Sequence, residues 1–455
     1  MAKTVQGEKG SILEELRDPV HGLVYLSKHE KKAIDTAVMQ RLRCIRQLAF
    51  THLAYPGALH TRFDHSIGTC HLAGRMADQV LMRGQKRKAV RFAALFHDVG
   101  HAPFSHVGEA VMRRYSKATG SIHEKVSSTI IREDDQINRL LDGDNGPGVD
   151  AVASIVEQRN LGFVGTWIVS GPVDADKLDY LIRDSYFTGV KYGIYDLDKV
   201  INEMVKVKTK AEHRLAFREG GIYAIEQLVL AKFHMTTQVY CHKVRAKSDA
   251  IAFRGICLAI DDGVIKERLF CYEKVEPHLR EFLALNDDSL SRLILDGENE
   301  YARRMFIFLR DRTLLPTVYA AGVDKERFPD DSQLMSVSGL QDDVIMRRDI
   351  SKIERDFAEE MDLDPNMVIL DIQSVKSPSF SPPEGQIAAE DILILTDDGN
   401  RKKFHTVSQI IKGSAGTNEQ SKVKLLLYAP LKVKEDKKVQ EKSNVVMDSI
   451  LDGFK

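Results

Sequence analysis

An adjacent histidine and aspartate, His97 and Asp98, follow a segment whose apolar residues recur at helical spacing over residues 88–96. This pattern predicts a largely buried helix that ends at the pair, because Gly100 follows it. A buried carboxylate beside an imidazole is costly unless a positive group pairs with both, and a divalent metal ion is the simplest such group. A histidine that only hydrogen-bonds to a carboxylate would leave the same dipeptide. The density of histidines favours the metal, since seven of the 15 lie within residues 52–106.

Two further residues of the metal-binding type lie on other predicted helices. His65 belongs to a helical pattern over residues 61–82, and Asp176 shares one predicted helix face with Tyr180 and Asp184. A solvated helix face would show the same polar stripe. With the first pair, these residues give two imidazoles and two carboxylates, a mixed site with open positions that suits Mn, Fe, Co, Ni or Mg better than a closed structural zinc site. Because such an ion lowers the pKa of bound water and neutralises phosphate oxygens, the set predicts hydrolysis of a phosphoester.

The composition is that of a globular protein with no dominant charge. Of 455 residues, 43% are hydrophobic, and 65 basic residues balance 66 acidic ones, so no overall field favours nucleic acid or an anionic membrane. The five cysteines form no C-x-x-C pair, which disfavours a disulfide framework and a zinc ribbon and is typical of a reducing cytosol. Residues 1–10 are polar, and no apolar run reaches membrane-spanning length. The sequence predicts a soluble, cytoplasmic protein.

Helical periodicity dominates most of the chain, and strand patterns appear mainly near the C-terminus. Helices are expected from residue 28 to about residue 50 and onward to residue 313, including a long one over 221–246. Strands are expected at 18–26 and, near the C-terminus, at 367–375, 391–396, 401–407 and 422–428, with a hairpin turn at 397–400 and a loop at 377–383. The predicted fold class is mainly α, divided into a multi-helix core at 1–330, a small α+β regulatory or oligomerisation unit at 331–433 and a charged tail at 434–455.

The candidate ligands occur along the chain in the order His65, His97-Asp98 and Asp176. This order matches the H…HD…D signature of the HD phosphohydrolase superfamily. More narrowly, the surrounding residues resemble those of the deoxynucleoside triphosphate triphosphohydrolases, including the vertebrate family with SAM and HD domains, in three blocks at 62–66, 97–106 and 174–180. The resemblance runs from about residue 13 to residue 433, with no SAM domain expected before it. It implies an HD-domain core in which the four residues hold a divalent ion, Mn, Fe or Mg with Ni, Co or Zn as alternatives.

The resemblance also implies roles for residues around the phosphates and the sugar. Imidazoles at the α-phosphate would bind it and protonate the leaving 5′-oxygen, and these are His101, His106 and His123. Glu109 stands where relatives carry an acid that orients such a histidine. Phosphate oxygens would be bound by Arg62, Lys177 and Lys232, the last standing where relatives have an arginine. The 3′-hydroxyl would contact Gln47, Leu48 and Asp184, and the space for a 2′-hydroxyl would be closed by Tyr180 and Tyr240. Ordinary helix packing would also account for Tyr240.

A regulatory nucleotide site at a subunit interface is implied as well. The residues where relatives recognise a guanine base and its phosphates are Asp35, Gln40, Arg43 and Arg312, and a second, deoxynucleotide effector would lie near His242 and Lys243. Two basic residues of relatives are replaced here by Glu14 and Pro316, which weakens the case for GTP activation. Exposed charges at a helical interface would leave the same pattern. Activation by another nucleotide and constitutive activity both stay open.

The sequence therefore favours a metal-dependent dNTP triphosphohydrolase that releases deoxynucleoside and intact triphosphate, in dNTP pool control or antiviral defence. The expected partners are a dNTP substrate, a nucleotide effector and further copies of the chain, in a tetramer or hexamer. No membrane partner is expected, and nucleic acid stays open. One alternative is an HD phosphoesterase acting on a cyclic dinucleotide, an alarmone or single-stranded nucleic acid. The other is a nucleotide-sensing assembly without catalysis.

Overall fold

The computed structural model shows a chain built mainly from α-helices, with a few short strands. The predicted mainly-α fold class is therefore confirmed. The structure describes residues 14–118, 120–159, 162–209, 213–323, 344–375, 392–410, 422–432 and 436–452. The predicted loop at 377–383 lies outside these residues. Within them, no helix is long and apolar enough to cross a membrane.

The first part of the chain is a strand pair followed by a succession of helices. Strand β1 (Glu14–Asp18) pairs antiparallel with β2 (Gly22–Leu26). The helices that follow are α1 (Lys28–Ile34), α2 (Ala37–Arg41), α3 (Arg62–Gln79), α4 (Gly84–Phe96), α5 (His106–Tyr115), α6 (Ile122–Glu133), α7 (Asp135–Leu141), α8 (Val149–Val156), α9 (Val164–Ser170), α10 (Ala175–Thr188) and α11 (Leu197–Asn202). Short 3₁₀ turns lie at Leu42–Cys44 and Ala49–Leu53.

The rest of the chain mixes helices with short strands. The strands are β3 (Met204–Lys208), β4 (His213–Arg218), β5 (Thr317–Val323), β6 (Ile369–Val375), β7 (Leu393–Leu395), β8 (Arg401–Lys403) and β9 (Lys422–Tyr428). The helices are α12 (Ile222–Met235), α13 (Lys243–Asp261), α14 (Tyr272–Val275), α15 (Leu279–Leu283), α16 (Asp287–Leu295), α17 (Glu300–Arg310), α18 (Val344–Glu360), α19 (Phe404–Val407) and α20 (Lys437–Asp452). A π-helical turn occupies Thr236–Tyr240.

Two helices predicted as continuous are interrupted in the structure. Between α1 and α2 the backbone of Thr36 is extended, and its side chain accepts a hydrogen bond from the Met39 amide, which starts a new helix. The predicted helix over 221–246 ends at Met235 and continues as the π turn. There His242 caps α13 by accepting from the Val244 amide. Helical periodicity continues across both breaks, so hydrophobic spacing alone does not reveal them.

The described chain divides into two compact units that interleave along the sequence. Unit 1 comprises Met1–Met235, Arg268–Ser289 and Phe380–Gly416, and unit 2 comprises Thr236–Glu267, Leu290–Ser379 and Thr417–Lys455. Unit 1 contains a four-stranded sheet in the order β3-β4-β7-β8, and unit 2 contains a three-stranded sheet in the order β5-β9-β6. These units differ from the predicted bounds at residues 330 and 433, because β7 pairs with β4 whereas β9 pairs with β5 and β6.

The core of unit 2 is built where helices α18 and α20 pack on the three-stranded sheet. Phe357 of α18, Leu427 of β9 and Met447 of α20 are fully buried in one cluster. The segment from residue 434, predicted as a charged tail, thus contains a packed amphipathic helix in its described part. In this helix Lys437, Lys438, Glu441 and Lys442 are exposed, whereas Met447 and Leu451 are buried.

Three helices of unit 1 position the candidate ligands. Helix α3 begins with a capping box, in which the Thr61 and Asp64 side chains satisfy each other's backbone amides. Helix α4 is buried over its last eight residues and ends at His97, as its apolar pattern predicts. Asp174 caps the start of helix α10, and its carboxylate accepts from the backbone amide of Lys177. The starts of α3 and α10 and the end of α4 therefore carry the site.

Candidate metal centre

Four side chains from these three helices converge at one point of unit 1. His65 lies on α3, His97 and Asp98 follow α4, and Asp176 lies in the first turn of α10. The Nε2 atoms of His65 and His97 are 3.2 Å apart, and Asp176 Oδ1 lies 3.0 Å from the first and 3.8 Å from the second. Asp98 Oδ1 is 3.3 Å from His97 Nε2. The structure thus brings all four predicted metal ligands together.

Hydrogen bonds determine which nitrogen of each imidazole faces this cluster. His65 Nδ1 donates to Asp179 Oδ2 at 2.8 Å, and His97 Nδ1 donates to the carbonyl oxygen of Ala94 at 2.8 Å. Because both Nδ1 atoms carry a proton, both Nε2 atoms face each other and the carboxylates, where each can hold either a second proton or a metal ion. Without either, lone pairs and anionic oxygens at these distances would repel. The donor set therefore fits a divalent metal ion.

Asp179 hydrogen-bonds to the His65 nitrogen that faces away from the cluster, and this role was not predicted from the sequence. Its carboxylate accepts from His65, from His21 Nε2 at 2.6 Å and from two nitrogens of Arg183 at 2.8 and 2.9 Å. Arg183 in turn donates to Asp18 at 2.8 Å. All of these side chains are buried. The available signal was the i, i+4 spacing of Asp179 and Arg183 on a helix with an apolar face.

The carboxylates of the cluster stay ionised because cationic side chains surround them. Burial raises the pKa of Asp98, but Arg62 and His97 hold it well below its usual range. Burial lowers the pKa of His65, but hydrogen bonds to Asp176 and Asp179 raise it to about 10. The site therefore concentrates negative charge around His65, which favours a bound cation.

A second group of side chains lies beside the first and shares Asp98 with it. His101 Nε2 is 3.3 Å from Asp98 Oδ1, and the His101 ring stacks on His123 with centroids 4.0 Å apart. The His106 ring stands edge-on to His101 at 5.6 Å. Glu109 Oε2 lies 3.1 Å from His123 Nδ1 and 3.4 Å from His106 Nδ1. The four residues predicted as catalytic thus meet: His106 and Glu109 lie in the first turn of α5, His123 lies in the first turn of α6, and His101 lies in the loop before α5.

The histidines of this group differ in charge. Burial lowers the pKa of His123, but Glu109 raises it to about 9, so His123 is cationic at neutral pH. Burial and the nearby Arg62 lower the pKa of His101 well below its usual range, so His101 is neutral. Within the described chain, the buried His101 Nδ1 makes no hydrogen bond. Burial lowers the pKa of His106 as well, so the group offers one proton donor and two neutral imidazoles.

Arg62 connects the two groups. Its Nη1 donates to Asp98 at 2.7 Å and its Nε donates to Ser105 Oγ at 3.0 Å. Its Nη2 is buried and has no hydrogen-bond partner among the residues that the structure describes. A buried guanidinium with one unused donor is suited to bind an anionic oxygen.

The loop that carries these histidines has a strained backbone. Phe104 and Ser105 have φ angles of 61° and 54°, the left-handed region that residues with side chains seldom adopt. Asp287 holds the loop by accepting from the Phe104 amide at 2.7 Å, and Arg41 donates to the His101 carbonyl at 2.9 Å. The sequence analysis missed Asp287 and Arg41, since neither belongs to a local motif near the histidines.

The two lysines predicted to bind phosphate lie near the start of α10. Lys177 Nζ donates to Asp174 at 2.5 Å and to the Gly171 carbonyl at 3.0 Å. Lys232 lies on α12, where burial and the neighbouring charge of Lys177 lower its pKa to about 8. Both ammonium groups are cationic at neutral pH, although the charge of Lys177 is largely compensated by Asp174.

The residues predicted to contact the 3′-hydroxyl are linked through His60. The backbone amide of Gln47 donates to the backbone carbonyl of His60 at 3.0 Å, and the side-chain Nε2 of His60 lies 2.7 Å from Asp184 Oδ1. The Gln47 Oε1 atom is buried and, within the described part of the chain, unpartnered. Leu48 is buried beside it. Tyr180 is one helical turn from Asp176 on α10. His60 has no motif around it, and the sequence analysis missed it.

The remaining predicted site residues are divided between the units. Tyr240, Lys243 and Arg312 belong to unit 2, where the Arg245 guanidinium lies 5.4 Å from the centre of the Tyr240 ring. In unit 1, the Gln40 side chain accepts from Arg43 Nε at 2.9 Å, and Asp35 accepts from Lys31 at 2.5 Å. The guanidinium of Arg43 also lies 3.6 Å from the centre of the Phe63 ring. The predicted guanine-recognising residues of unit 1 thus lie close together.

Comparison with known proteins agrees with this geometry. Residues 62–187 match the HD domain, and residues 195–449, more than half of the chain, match the HD associated region. The chain belongs to the HD-domain family. This membership supports a phosphohydrolase that binds a divalent metal ion. The HD-domain match contains all four predicted metal ligands and the second histidine group.

Individual relatives and solved structures extend the comparison. The uncharacterized protein YwfO of Bacillus subtilis is 34% identical over 251 residues, which are 53% of this chain and 55% of that protein. A SAMHD1 homolog of Dictyostelium discoideum, named a deoxynucleoside triphosphate triphosphohydrolase, is 28% identical over 359 residues, 73% of this chain and 66% of that protein. The chain spans about half the length of several curated relatives that it matches. A hypothetical protein from Aquifex aeolicus shares the fold, with a TM-score of 0.70 and 23% identity over 96% of this chain and all of that one.

Proposed function

We propose that this chain hydrolyses deoxynucleoside triphosphates to deoxynucleoside and triphosphate with the help of a divalent metal ion. The observation that carries the proposal is that Asp98 belongs to two groups at once, the metal-type ligands and the histidines held by Glu109. Charge neutralisation and proton donation therefore meet at one place, which phosphoester cleavage requires. The activity named for the relative in D. discoideum supports a dNTP as the substrate.

In the proposed reaction each group of site residues would have a separate role. The ion, when bound, neutralises phosphate oxygens and lowers the pKa of bound water. Arg62 donates its unused Nη2 N–H to an oxygen of the α-phosphate, and His101 binds a second oxygen. Lys177 and Lys232 attract the outer phosphates. As the oxygen of water bonds to the α-phosphorus, the bond from phosphorus to the 5′-oxygen breaks. The proton of His123 passes to that oxygen, and the triphosphate leaves intact.

The sugar would be recognised by a compact group of buried side chains. The unpartnered Gln47 Oε1 accepts from the 3′-hydroxyl, with Asp184 and Leu48 beside it. The ring of Tyr180 would occupy the space that a 2′-hydroxyl needs, which would select deoxyribose by steric rejection. A like role for Tyr240 stays the expectation from the resemblance. A ribonucleotide is therefore a poor substrate in this proposal.

Regulation, assembly and location belong to the same proposal. A nucleotide effector would bind at the positions that the resemblance indicates, namely Asp35, Gln40, Arg43, Lys243 and Arg312. A homo-oligomer in the cytoplasm would then control the dNTP pool, in nucleotide balance or in antiviral defence. Regulation predicts that a second nucleotide accelerates hydrolysis of the first.

Incubation with nucleotides tests the reaction directly. The purified chain is incubated with each of the four dNTPs and with GTP, singly and in mixtures, with Mn²⁺ or Mg²⁺, and the products are separated by anion-exchange chromatography. We expect deoxynucleoside and triphosphate, and a higher rate in mixtures if an effector acts. Monophosphate products would indicate another HD phosphoesterase. Absence of turnover in every mixture would indicate a nucleotide-sensing protein without catalysis.

A matched pair of variants links the reaction to the site. Asp98→Ala removes the carboxylate shared by both groups and is expected to abolish turnover. Asp198→Ala removes a carboxylate that is 77% exposed and pairs with Arg75 at the surface, so turnover should be unchanged. Undiminished activity of Asp98→Ala in metal-replete buffer would contradict the assignment of the metal centre.

A further inference from the structure

Unit 1 contains a cavity of about 400 Å³ that none of the site residues above lines. It lies where α3 ends and α4 begins, and β3, β4 and the start of α9 close it. Its wall is made by Val80, Leu81, Met82, Arg83, Lys86, Gly162, Phe163, Val164, Lys206 and His213. This volume lies within the roughly 300–1,000 Å³ of small-molecule sites in proteins. The proposed catalytic reaction gives this cavity no role.

The described residues that line the wall include basic side chains and no acidic one. Arg83 pairs with Asp78 at 3.2 Å, so its charge is partly compensated. Lys86 and Lys206 are exposed, and neither forms an ion pair with any residue that the structure describes. His213 adds a third nitrogen donor. Several convergent cations without a protein acid are suited to a ligand with more than one negative charge.

The start of α4 has the opposite charge from the one that stabilises a helix N-terminus. Its first turn contains Lys86 and no acidic residue, and the side chain of Arg83 at the N-cap makes no capping hydrogen bond. The positive end of the helix dipole is normally stabilised by an acid or a bound anion. The carboxylate of Asp78 lies beside this helix start, but it pairs with Arg83 and Arg87. A bound anion at the cavity would therefore stabilise both the helix end and Lys86.

A leucine is held in a strained conformation at the same wall. Leu81 has φ 57°, and its side chain is 79% exposed. The Leu81 amide donates to Asp78 and the Met82 amide donates to Ala77, which is the Schellman arrangement that ends α3. Glycine is the usual residue at that position because it adopts a positive φ without strain. An exposed leucine therefore costs stability at a place where it lines the cavity, which indicates a contact with a ligand.

The other half of the wall is apolar and includes a fixed aromatic ring. Phe163 lies over the backbone of Gly165, where an added Cβ would come within 2.3 Å of the ring. Met82 is buried beside it. We propose that this cavity binds a nucleoside phosphate, with its phosphate oxygens on Lys86 and Lys206 and its base against Phe163 and Leu81. A polyanion without a base, such as triphosphate, would use the lysines alone.

Photolabelling with 8-azido-ATP and peptide mapping tests this site in the full chain without any measurement of turnover. We expect label on peptides containing residues 80–86 or 162–164. The double variant Lys86→Gln/Lys206→Gln should weaken this labelling about tenfold or more, because two charge-assisted contacts are lost. The matched control is Lys88→Gln/Lys208→Gln, which removes the same charge from α4 and β3 at positions that do not line the cavity.

Each outcome decides the proposal. Label at the cavity that is lost only in Lys86→Gln/Lys206→Gln, and that unlabelled ATP displaces, supports it. Equal labelling of both double variants, or label confined to peptides of the metal centre, overturns it. Displacement by triphosphate as strong as displacement by ATP overturns the role of the base. A single-stranded oligonucleotide that displaces the label better than ATP would assign the cavity to nucleic acid instead.

Leu81→Gly separates ligand binding from a structural role. The substitution relieves the positive φ, so the variant should melt at a higher temperature than the parent chain. If Leu81 contacts the ligand, 8-azido-ATP labelling falls although the protein is more stable. A purely structural leucine would leave the labelling unchanged, and that result contradicts the proposed contact.

Discussion

Replacing Asp179 with asparagine should weaken metal binding although Asp179 does not reach the metal cluster. Both oxygens of the carboxylate accept from N–H donors, one from His65 Nδ1 and Arg183 Nε, the other from His21 Nε2 and Arg183 Nη2. Asparagine has the same shape, but one of its two positions becomes an NH₂ group. Either orientation therefore turns a donor toward two donors.

In the orientation that turns the NH₂ group toward His65, the conflict between these two groups is relieved when His65 changes its tautomer. If its Nδ1 accepts from the new NH₂ group, its proton moves to Nε2, which is the nitrogen that faces His97 and Asp176. A protonated Nε2 has no lone pair for a metal ion. Loss of such a supporting hydrogen bond costs about 10–100-fold in metal affinity. Removing the charge also leaves Arg183 with Asp18 as its remaining acid, which costs up to about 3–5 kcal/mol in the free energy of unfolding.

Two measurements check this reasoning. Equilibrium dialysis with Mn²⁺ gives the dissociation constant, and urea unfolding of the metal-free protein gives the stability. The control is Asp198→Asn, because the Asp198 carboxylate pairs with Arg75 at the surface. This substitution should change the free energy of Mn²⁺ binding and the free energy of unfolding by no more than about 1 kcal/mol each. An Asp179→Asn variant that binds Mn²⁺ within about threefold of the parent chain would show that His65 does not depend on Asp179 for its tautomer.

Three shorter predictions follow from neighbouring contacts. Gly68→Ala would place a Cβ 1.9 Å from Asp179 Oδ1, so urea unfolding should show a loss of about 1–3 kcal/mol; an unchanged midpoint would contradict the close packing. Lys232, with its pKa lowered to about 8, is cationic below that pH and loses its charge above it. KM for a dNTP should therefore rise above about pH 8, and Lys232→Arg should remove this rise. A KM that is equal at pH 7 and pH 9 would refute this role of Lys232. Glu109→Gln removes the anion beside His123, so kcat should fall about 10²–10⁴-fold while Mn²⁺ content stays the same; loss of the metal instead would place Glu109 in the metal centre.

Much of the candidate site could be predicted because its residues lie in short motifs. The apolar spacing before His97 predicted the buried end of α4, and the structure places the helix end there. The resemblance implied that Glu109 orients a histidine, and its carboxylate lies 3.4 Å from His106 Nδ1 and 3.1 Å from His123 Nδ1. The resemblance to HD phosphohydrolases then placed His65 and Asp176 in the same group, and the HD-domain match confirms the family. Their individual roles stay predictions.

Helix breaks and unit boundaries could not be predicted in the same way. The Thr36 cap interrupts a continuous helical pattern, since a side-chain oxygen competes with the backbone only when the local turn allows it. Strands β7 and β9 are both short apolar segments near the C-terminus, yet they pair in different sheets. Which strands pair depends on segments that are distant in the chain, and the residue pattern of one strand does not indicate which strand pairs with it.

The sequence by itself indicated the family, through the resemblance of three motif blocks, and the mainly helical fold, through local spacing, and it predicted the metal-type ligands from residue chemistry. The tertiary structure alone decided which groups support them. His21 and Asp179 are 158 residues apart in the chain, and Asp287 meets Phe104 across 183 residues. Such contacts leave no periodic signal in the sequence, since each depends on how separate helices pack. The tautomer of His65 and the hold on the strained loop are therefore properties of the folded chain.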